Sequence, residues 1–254
     1  MIHNPVVDTM MKRKSVRTFT KEIPSEEIIE TIVRAGQQAP FALQLGDMIL
    51  DRGPKNMMDA PLQFTICYDV HRMELIAKKR GWDIEIDDMQ LLIFGVQDAG
   101  YMAQNMVIAA ESLGLASCYI GMTPFAAPGV KKKYKLPDRV FPVVTLVMGY
   151  PDEWENQFPP RPRYPMEFSC FEGKYPQMDD AMVEKAMKVM DEGYLAQGYY
   201  EKQDVMIDPS KKKEETFTFE NYSWTEHISR KCALYTEAHL RTAYEKIGFK
   251  VPEE

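Results

Sequence analysis

Along this chain, apolar residues recur first at helical and then at strand spacings, with turn residues between the runs. Ser25 is placed to cap a helix in which Ile28, Ile29, Ile32, Val33 and Ala35 share a face, and Pro40 stops it. Glu26 and Glu27 suit the positive end of that helix. An earlier short helix is expected from Asp8 to Arg13. Leu62–Tyr68 alternates in part and is rich in aromatic and β-branched residues, which predicts a strand. A short helix over His71–Arg80 closes at Gly81, and a longer one is predicted from about Asp88 to Leu113, closing at Gly114. The longer helix carries apolar residues on more than one stripe, among them Leu91, Phe94, Met102, Met106 and Leu113. Such a helix needs a large core or a second subunit to bury it. Ser117–Ile120 and Val143–Tyr150 predict strands, the second a continuous apolar run suited to a central position.

After Pro151 the texture changes. Pro151, Pro159, Pro160, Pro162, Pro165 and Pro176 make 151–178 an extended arm without a long helix. A helix follows from about Asp179 to Tyr199, then a polar segment with Lys211, Lys212 and Lys213. The last helix opens with Ser223-Trp224-Thr225-Glu226, read as a capping box, and closes at Gly248. Interspersed helices and strands place the chain in a mixed α and β class, one compact core with a C-terminal extension.

Composition narrows the chemistry. Among 254 residues, 31 are Lys or Arg and 38 are Asp or Glu, a net charge of −7 that disfavours a nucleic-acid partner. A phosphate-bearing ligand therefore needs a local cluster of cations. Five polar breaks between Leu91 and Leu115 argue against a membrane span, and the N-terminal residues form no signal-peptide run. Cys67, Cys118, Cys170 and Cys232 are widely separated and read as single thiols, so a cytoplasmic protein is expected. Phosphate-loop, dinucleotide-fingerprint, zinc-protease and nucleophile-elbow motifs are all missing from the sequence. His3, His71, His227 and His239 lie in unrelated contexts and read as structural.

What remains is Arg13-Lys14-Ser15-Val16-Arg17, three cations and a hydroxyl within five residues, a suitable cradle for a phosphate. A solvated basic turn is the plainer alternative. Arg161 and Arg163 form a second cationic pair in the proline-rich arm. In Cys118-Tyr119-Ile120-Gly121-Met122, a glycine follows a predicted strand and lets a backbone amide approach a ligand.

In order and spacing these segments resemble the nitroreductase family of flavin enzymes. The family's opening pattern is matched by Arg13-Lys14-Ser15-Val16-Arg17-Thr18-Phe19, and its helix and turn by Arg34–Pro40. Its long central helix resembles Gln97–Asn105 continuing into Ala109–Leu115, and its late strand resembles Phe141-Pro142-Val143 through Met148-Gly149-Tyr150-Pro151. Pro162-Arg163-Tyr164-Pro165 and the long C-terminal part are similar to the larger NADPH nitroreductase A and flavin reductase group. The resemblance implies an α+β fold with a central mixed, mainly antiparallel sheet flanked by helices and a helical C-terminal extension. Residues 1–165 would form the cofactor-binding core, and 166–254 an arm and extension packed on the same domain.

It also implies FMN held between the subunits of a homodimer, with NADPH or NADH as electron donor and a small-molecule acceptor. Arg13, Lys14, Ser15 and Arg17 would hold the phosphate, ribityl chain and pyrimidine edge, and Arg161 and Arg163 would complete the phosphate site. Tyr119, Ile120 and Gly121 would lie along the isoalloxazine. Gln44 would face the ring, and Phe41, in place of a small hydroxyl residue, would narrow the pocket. Glu237 stands where an arginine for the NADPH 2′-phosphate is usual, which leaves the nicotinamide open; Lys202 and Lys211–Lys213 are other candidates. The expected activity is ping-pong reduction of nitroaromatics, quinones or flavins. An enone, a halogenated aromatic or a dedicated metabolite as acceptor, or flavin binding without turnover, are the alternatives.

Overall fold

The computed structural model of the chain describes residues 1–209, 213–234 and 239–251. Two compact units are present, one comprising Met1–Asn156 with Ala238–Glu254, the other Gln157–Glu237.

In the first unit, Asn4 and not Asp8 caps the first helix, α1 (Pro5–Lys12). Its side-chain oxygen accepts from the amides of Val6 and Val7 at 3.0 and 2.9 Å, and Pro5 fills the first helical position. Asp8 lies inside that first turn. Helix α2 (Glu26–Gln37) is capped by Ser25 as expected and buries Ile29, Ile32 and Gly36.

A four-stranded sheet has the order β1-β2-β4-β3, antiparallel throughout: β1 (Gly46–Arg52), β2 (Leu62–Asp69), β3 (Ala116–Ile120) and β4 (Val140–Gly149). Among the described residues, the parallel component reduces to a single bridge between Ser15 and Ser117. Strand β1 carries no periodic signal, since Asp47, Asp51 and Arg52 interrupt it; it is an edge strand, half-buried, registered on β2 from Gly46↔Tyr68 to Arg52↔Leu62. Strand β4 starts three residues before the expected Val143 and runs through Pro142. The proline is accommodated because the pairing shifts register between Ile66 and Cys67, where Cys67 faces Pro142.

Helix α3 (Val70–Lys79) is capped by Asp69, and helix α4 (Asp88–Ser112) by Asp87, whose carboxylate accepts from Met89 and Gln90. At 25 residues α4 is about 37 Å long. It buries Leu91, Ala99, Met102, Ala103, Met106, Val107 and Ala110 against the sheet and α2. Gly95 is required here, because a Cβ at that position would lie 2.4 Å from the Tyr68 ring. Short helix α5 (Ala127–Tyr134) ends in Lys131 and Lys133, which pair with Asp138 and Asp51. The chain's last part returns to this unit through the aromatic residues Tyr244 and Phe249, stacked at 4.5 Å beside Tyr68 and Phe141.

The second unit holds the proline-rich segment, extended apart from the four-residue α6 (Met166–Ser169), and then α7 (Asp180–Gln197) and α8 (Tyr199–Lys202), joined at Gly198. Its core is aromatic: Tyr194, Tyr200 and Tyr222 with Tyr199 and Trp224. The expected last helix is found as α9 (Trp224–Leu234) in this unit and α10 (His239–Glu245) in the first, on either side of residues 235–238. The Ser223–Glu226 capping box does not form. Ser223 donates instead to the Asp191 carbonyl, the Thr225 amide goes to the Asp191 carboxylate at 2.9 Å, and Glu226 holds Arg230. Arg230 is 6% exposed and shared between Glu226 and Glu215, so ion pairing has overridden the local cap.

Candidate functional site

Chain connectivity and one carboxylate position the basic segment. Arg13 ends α1, and the bridge between Ser15 and Ser117, with the Val16 amide donating to the Ser117 carbonyl at 2.9 Å, lays residues 15–17 along β3. Glu155, 4% exposed, accepts from the amides of Arg17 and Thr18 at 2.6 and 3.1 Å and from the Thr18 hydroxyl at 3.3 Å. Its carbonyl accepts from Lys14 Nζ. The solvated basic turn is therefore excluded as a description, because the segment is half-buried and clamped from both ends. Nothing in the sequence around Glu155 marks it for this task.

Beside the segment, the Ser15 hydroxyl bonds the Cys118 thiol, which burial keeps protonated above the ordinary thiol range. The Tyr119 hydroxyl donates to Gln104 on α4 at 2.9 Å; burial first, and then the charge of Glu111, push it up to about 12. Ile120 accepts from Thr123 through its carbonyl, and open space surrounds the exposed Gly121. The structure thus gathers Arg13, Lys14, Ser15, Arg17, Tyr119 and Ile120 along β3. One nitrogen of Arg13, Nη1, is buried and has no hydrogen-bond partner. A buried guanidinium nitrogen without an acceptor fits an anion such as phosphate.

Phe41 and Gln44 are found elsewhere, on a cavity of about 1010 Å³ lined also by Met48, Arg72, Asp98 and Met102. Phe41 is 56% exposed and forms part of the wall. The loop from Pro40 to Leu45 has no regular structure, and Gln44 holds a left-handed φ of 55°. Asp98 holds it there: one carboxylate, 3% exposed, accepts from the amides of Ala42, Leu43 and Leu45 at 2.6, 3.1 and 3.0 Å. Asp98 was missed as a site residue, although a signal existed. It occupies the inward stripe of α4 with Leu91, Gly95 and Met102, where a lone carboxylate must find donors. Along α4, Asp98 and Glu111 are about 20 Å apart, so cavity and basic segment are separate surfaces of one helix.

Arg161 and Arg163 belong to the second unit. The Arg161 guanidinium lies 3.6 Å from the Tyr199 ring centroid, and Arg163 donates to the carbonyls of Arg161 and Pro162. Lys202 donates to the Gln197 carbonyl, and Lys213 is exposed. Glu237, Lys211 and Lys212 lie outside the described residues. His227 is held by the Tyr222 hydroxyl at 3.0 Å and packs on Tyr200, as a structural histidine does. Among the described residues there is no cluster of metal-ligating side chains, and no helix is long and apolar enough to cross a membrane.

An antiparallel sheet under a long central helix, with a clamped basic segment on its edge strand and a stapled loop, defines the class as a nitroreductase-type α+β fold. Residues 51–150 match the family model described as the nitroreductase family. It is 28% identical over 189 residues to the FMN reductase (NADPH) of Bacillus subtilis, covering 68% of this chain and 75% of the relative. To the oxygen-insensitive NADPH nitroreductase of Salmonella typhimurium it is 27% identical over 220 residues, 81% of this chain and 89% of the relative. The solved structure of the NfrA1 nitroreductase from B. subtilis superposes with a TM-score of 0.79 at 24% identity, covering 96% of this chain and 98% of that one. This last likeness speaks to the fold.

Proposed function

We propose that the protein is an FMN-dependent NAD(P)H oxidoreductase that reduces nitroaromatics, quinones or free flavins. The observation that carries this reading is the Arg13–Arg17 segment clamped along β3, with a buried Arg13 nitrogen awaiting an anion. Relatives named as an FMN reductase and a nitroreductase support it. When bound, FMN supplies the hydride chemistry. The chain's own residues bind and orient. Arg13 and Lys14 would hold the phosphate, Ser15 the ribityl chain, and Arg17 the pyrimidine edge, where its charge favours electron density arriving on the ring. Tyr119, Ile120 and Gly121 would lie beside the isoalloxazine. Phe41 and Gln44 would face the ring from the Asp98-held loop.

Because that loop is about 20 Å along α4 from the basic segment, one flavin would take its phosphate contacts from one subunit and its loop contacts from another. We infer a homodimer on this ground and on two others. Helix α1 buries no residue and leaves Val6, Met10 and Met11 more than half exposed. On α4, Ile93 and Val96 are exposed, and Gly100 has open space where an alanine would add helix stability of about 1 kcal/mol. Light scattering should return twice the chain mass with one flavin per chain; a monodisperse monomer that retains flavin contradicts the dimer. The four free thiols agree with a reducing, cytoplasmic setting.

Anaerobic titration tests the function. The purified protein is expected to show a bound flavin spectrum that NADPH or NADH bleaches, and that a quinone or nitroaromatic restores. Failure of both nicotinamides to bleach a bound flavin would leave a binding protein, and no flavin after reconstitution with FMN would remove the reading altogether.

A further inference from the structure

Glu111, in the last turn of α4, takes no part in the cofactor contacts above, yet it adjoins them. Its carboxylate accepts from the Ser117 hydroxyl at 3.1 Å, and Ser117 is the fully buried residue whose carbonyl fixes Val16 and so the basic segment. The charges that act on Glu111 are those of Arg13 and Lys14, from the segment after α1, and Glu111 in turn acts on the Tyr119 hydroxyl of β3. Lys14 is shared with Glu155, whose carbonyl holds its ammonium. The same two cations are the ones placed to receive a phosphate. A carboxylate and a phosphate dianion therefore compete for one pair of positive charges in a half-buried setting, where repulsion is poorly screened.

We propose that Glu111 is a further determinant of cofactor binding and takes up a proton from solvent when a phosphate group docks at Arg13 and Lys14. The inference rests on the FMN reading given above. Once protonated, Glu111 still accepts from Ser117 and can donate to a phosphate oxygen, so a repulsive contact becomes a hydrogen bond. Burial is the main reason that this exchange falls in an accessible range: desolvation pushes the carboxyl up to about 7, against the lowering effects of Ser117, Arg13 and Lys14. Below that pH the proton is already present and docking releases or takes up none at Glu111. Above it the proton must be acquired, so affinity falls as pH rises.

The sign is diagnostic, because the phosphate's own second ionisation, near pH 6, makes a cationic site bind it more tightly as pH rises. The full-length protein, freed of flavin, is titrated with FMN and with riboflavin between pH 6.5 and 8.5. FMN affinity relative to riboflavin is expected to fall about tenfold over that range by proton linkage. In Glu111→Gln it should stay level within about twofold and exceed wild type at pH 8.5. Calorimetry of the unaltered protein at pH 7.5 in two buffers of different ionisation enthalpy should show uptake of more than half a proton with FMN and none with riboflavin. FMN binding with no proton uptake, or with the same pH slope in Glu111→Gln as in wild type, overturns the role of Glu111 and leaves the cofactor assignment standing. Equal affinity for FMN and riboflavin at every pH overturns this inference through the phosphate site itself, and no binding of either flavin overturns the FMN reading.

Discussion

Asp98→Ala is expected to lower stability by about 3–4 kcal/mol, which for a chain of this size corresponds to a melting temperature about 10 °C lower. The reason is the concentration of donors on one carboxylate. Three amides, those of Ala42, Leu43 and Leu45, give it their hydrogen bonds, and Asp98 is 3% exposed, so water cannot easily replace it. The loop has no helix or strand partner for those amides, and losing the acceptor leaves all three unpaired, that of Leu45 in the buried interior. Asp98→Asn should fall between wild type and alanine. It keeps one strong acceptor oxygen but turns a donor toward amides that are donors themselves. Because Phe41 and Gln44 ride on this loop, reduction of the acceptor should slow further than stability alone explains, measured well below the melting transition. Thermal denaturation followed by circular dichroism decides it: an alanine variant melting within 2 °C of wild type would mean that the carboxylate only caps a loop already fixed by its neighbours.

Asp98 also marks how far the fold was legible in the sequence. Elements with strong periodicity, such as α2, β2 and α4, were located closely, because one buried stripe or a continuous apolar run leaves few alternatives. Strand β1 was not, since Asp47, Asp51 and Arg52 give it no pattern. It is a strand because β2 offers a free edge, and that is a tertiary fact. The Ser223 cap failed for a related reason. Local capping is worth about 1 kcal/mol, and Asp191, 32 residues earlier in the chain, supplied a charged acceptor in its place.

The candidate site divides in the same way. Arg13, Lys14, Ser15 and Arg17 could be picked out because they are contiguous, and the structure gathers them with Tyr119 and Ile120. Glu155, which fixes their conformation, lies 138 residues from Arg17 in a stretch rich in prolines and acids, where no spacing points to it. Phe41 and Gln44 were legible as a loop after a helix, whereas their separation from the basic segment depends on where α4 carries each end.

Arg13→Ala should weaken FMN binding about 10- to 100-fold, the loss of roughly 1.5–3 kcal/mol that a buried charge-assisted contact carries, while riboflavin affinity changes little. The buried Nη1 without an acceptor is the atom expected to meet the phosphate. Arg13→Lys should recover only part of the loss, since an ammonium offers a point charge where a guanidinium offers two parallel donors. Arg17→Ala provides the contrast. Its backbone amide is fixed by Glu155, so the substitution removes the guanidinium and leaves the segment's course intact. On the proposed placement of its side chain at the ring and not at the phosphate, Arg17→Ala should weaken FMN and riboflavin by similar factors and slow reduction by the nicotinamide. Fluorescence titrations of both flavins against the three variants separate these roles. If Arg13→Ala lowers both flavins equally, Arg13 does not hold the phosphate. If Arg17→Ala lowers FMN alone, the two arginines have exchanged parts, and the flavin lies along β3 in the opposite sense.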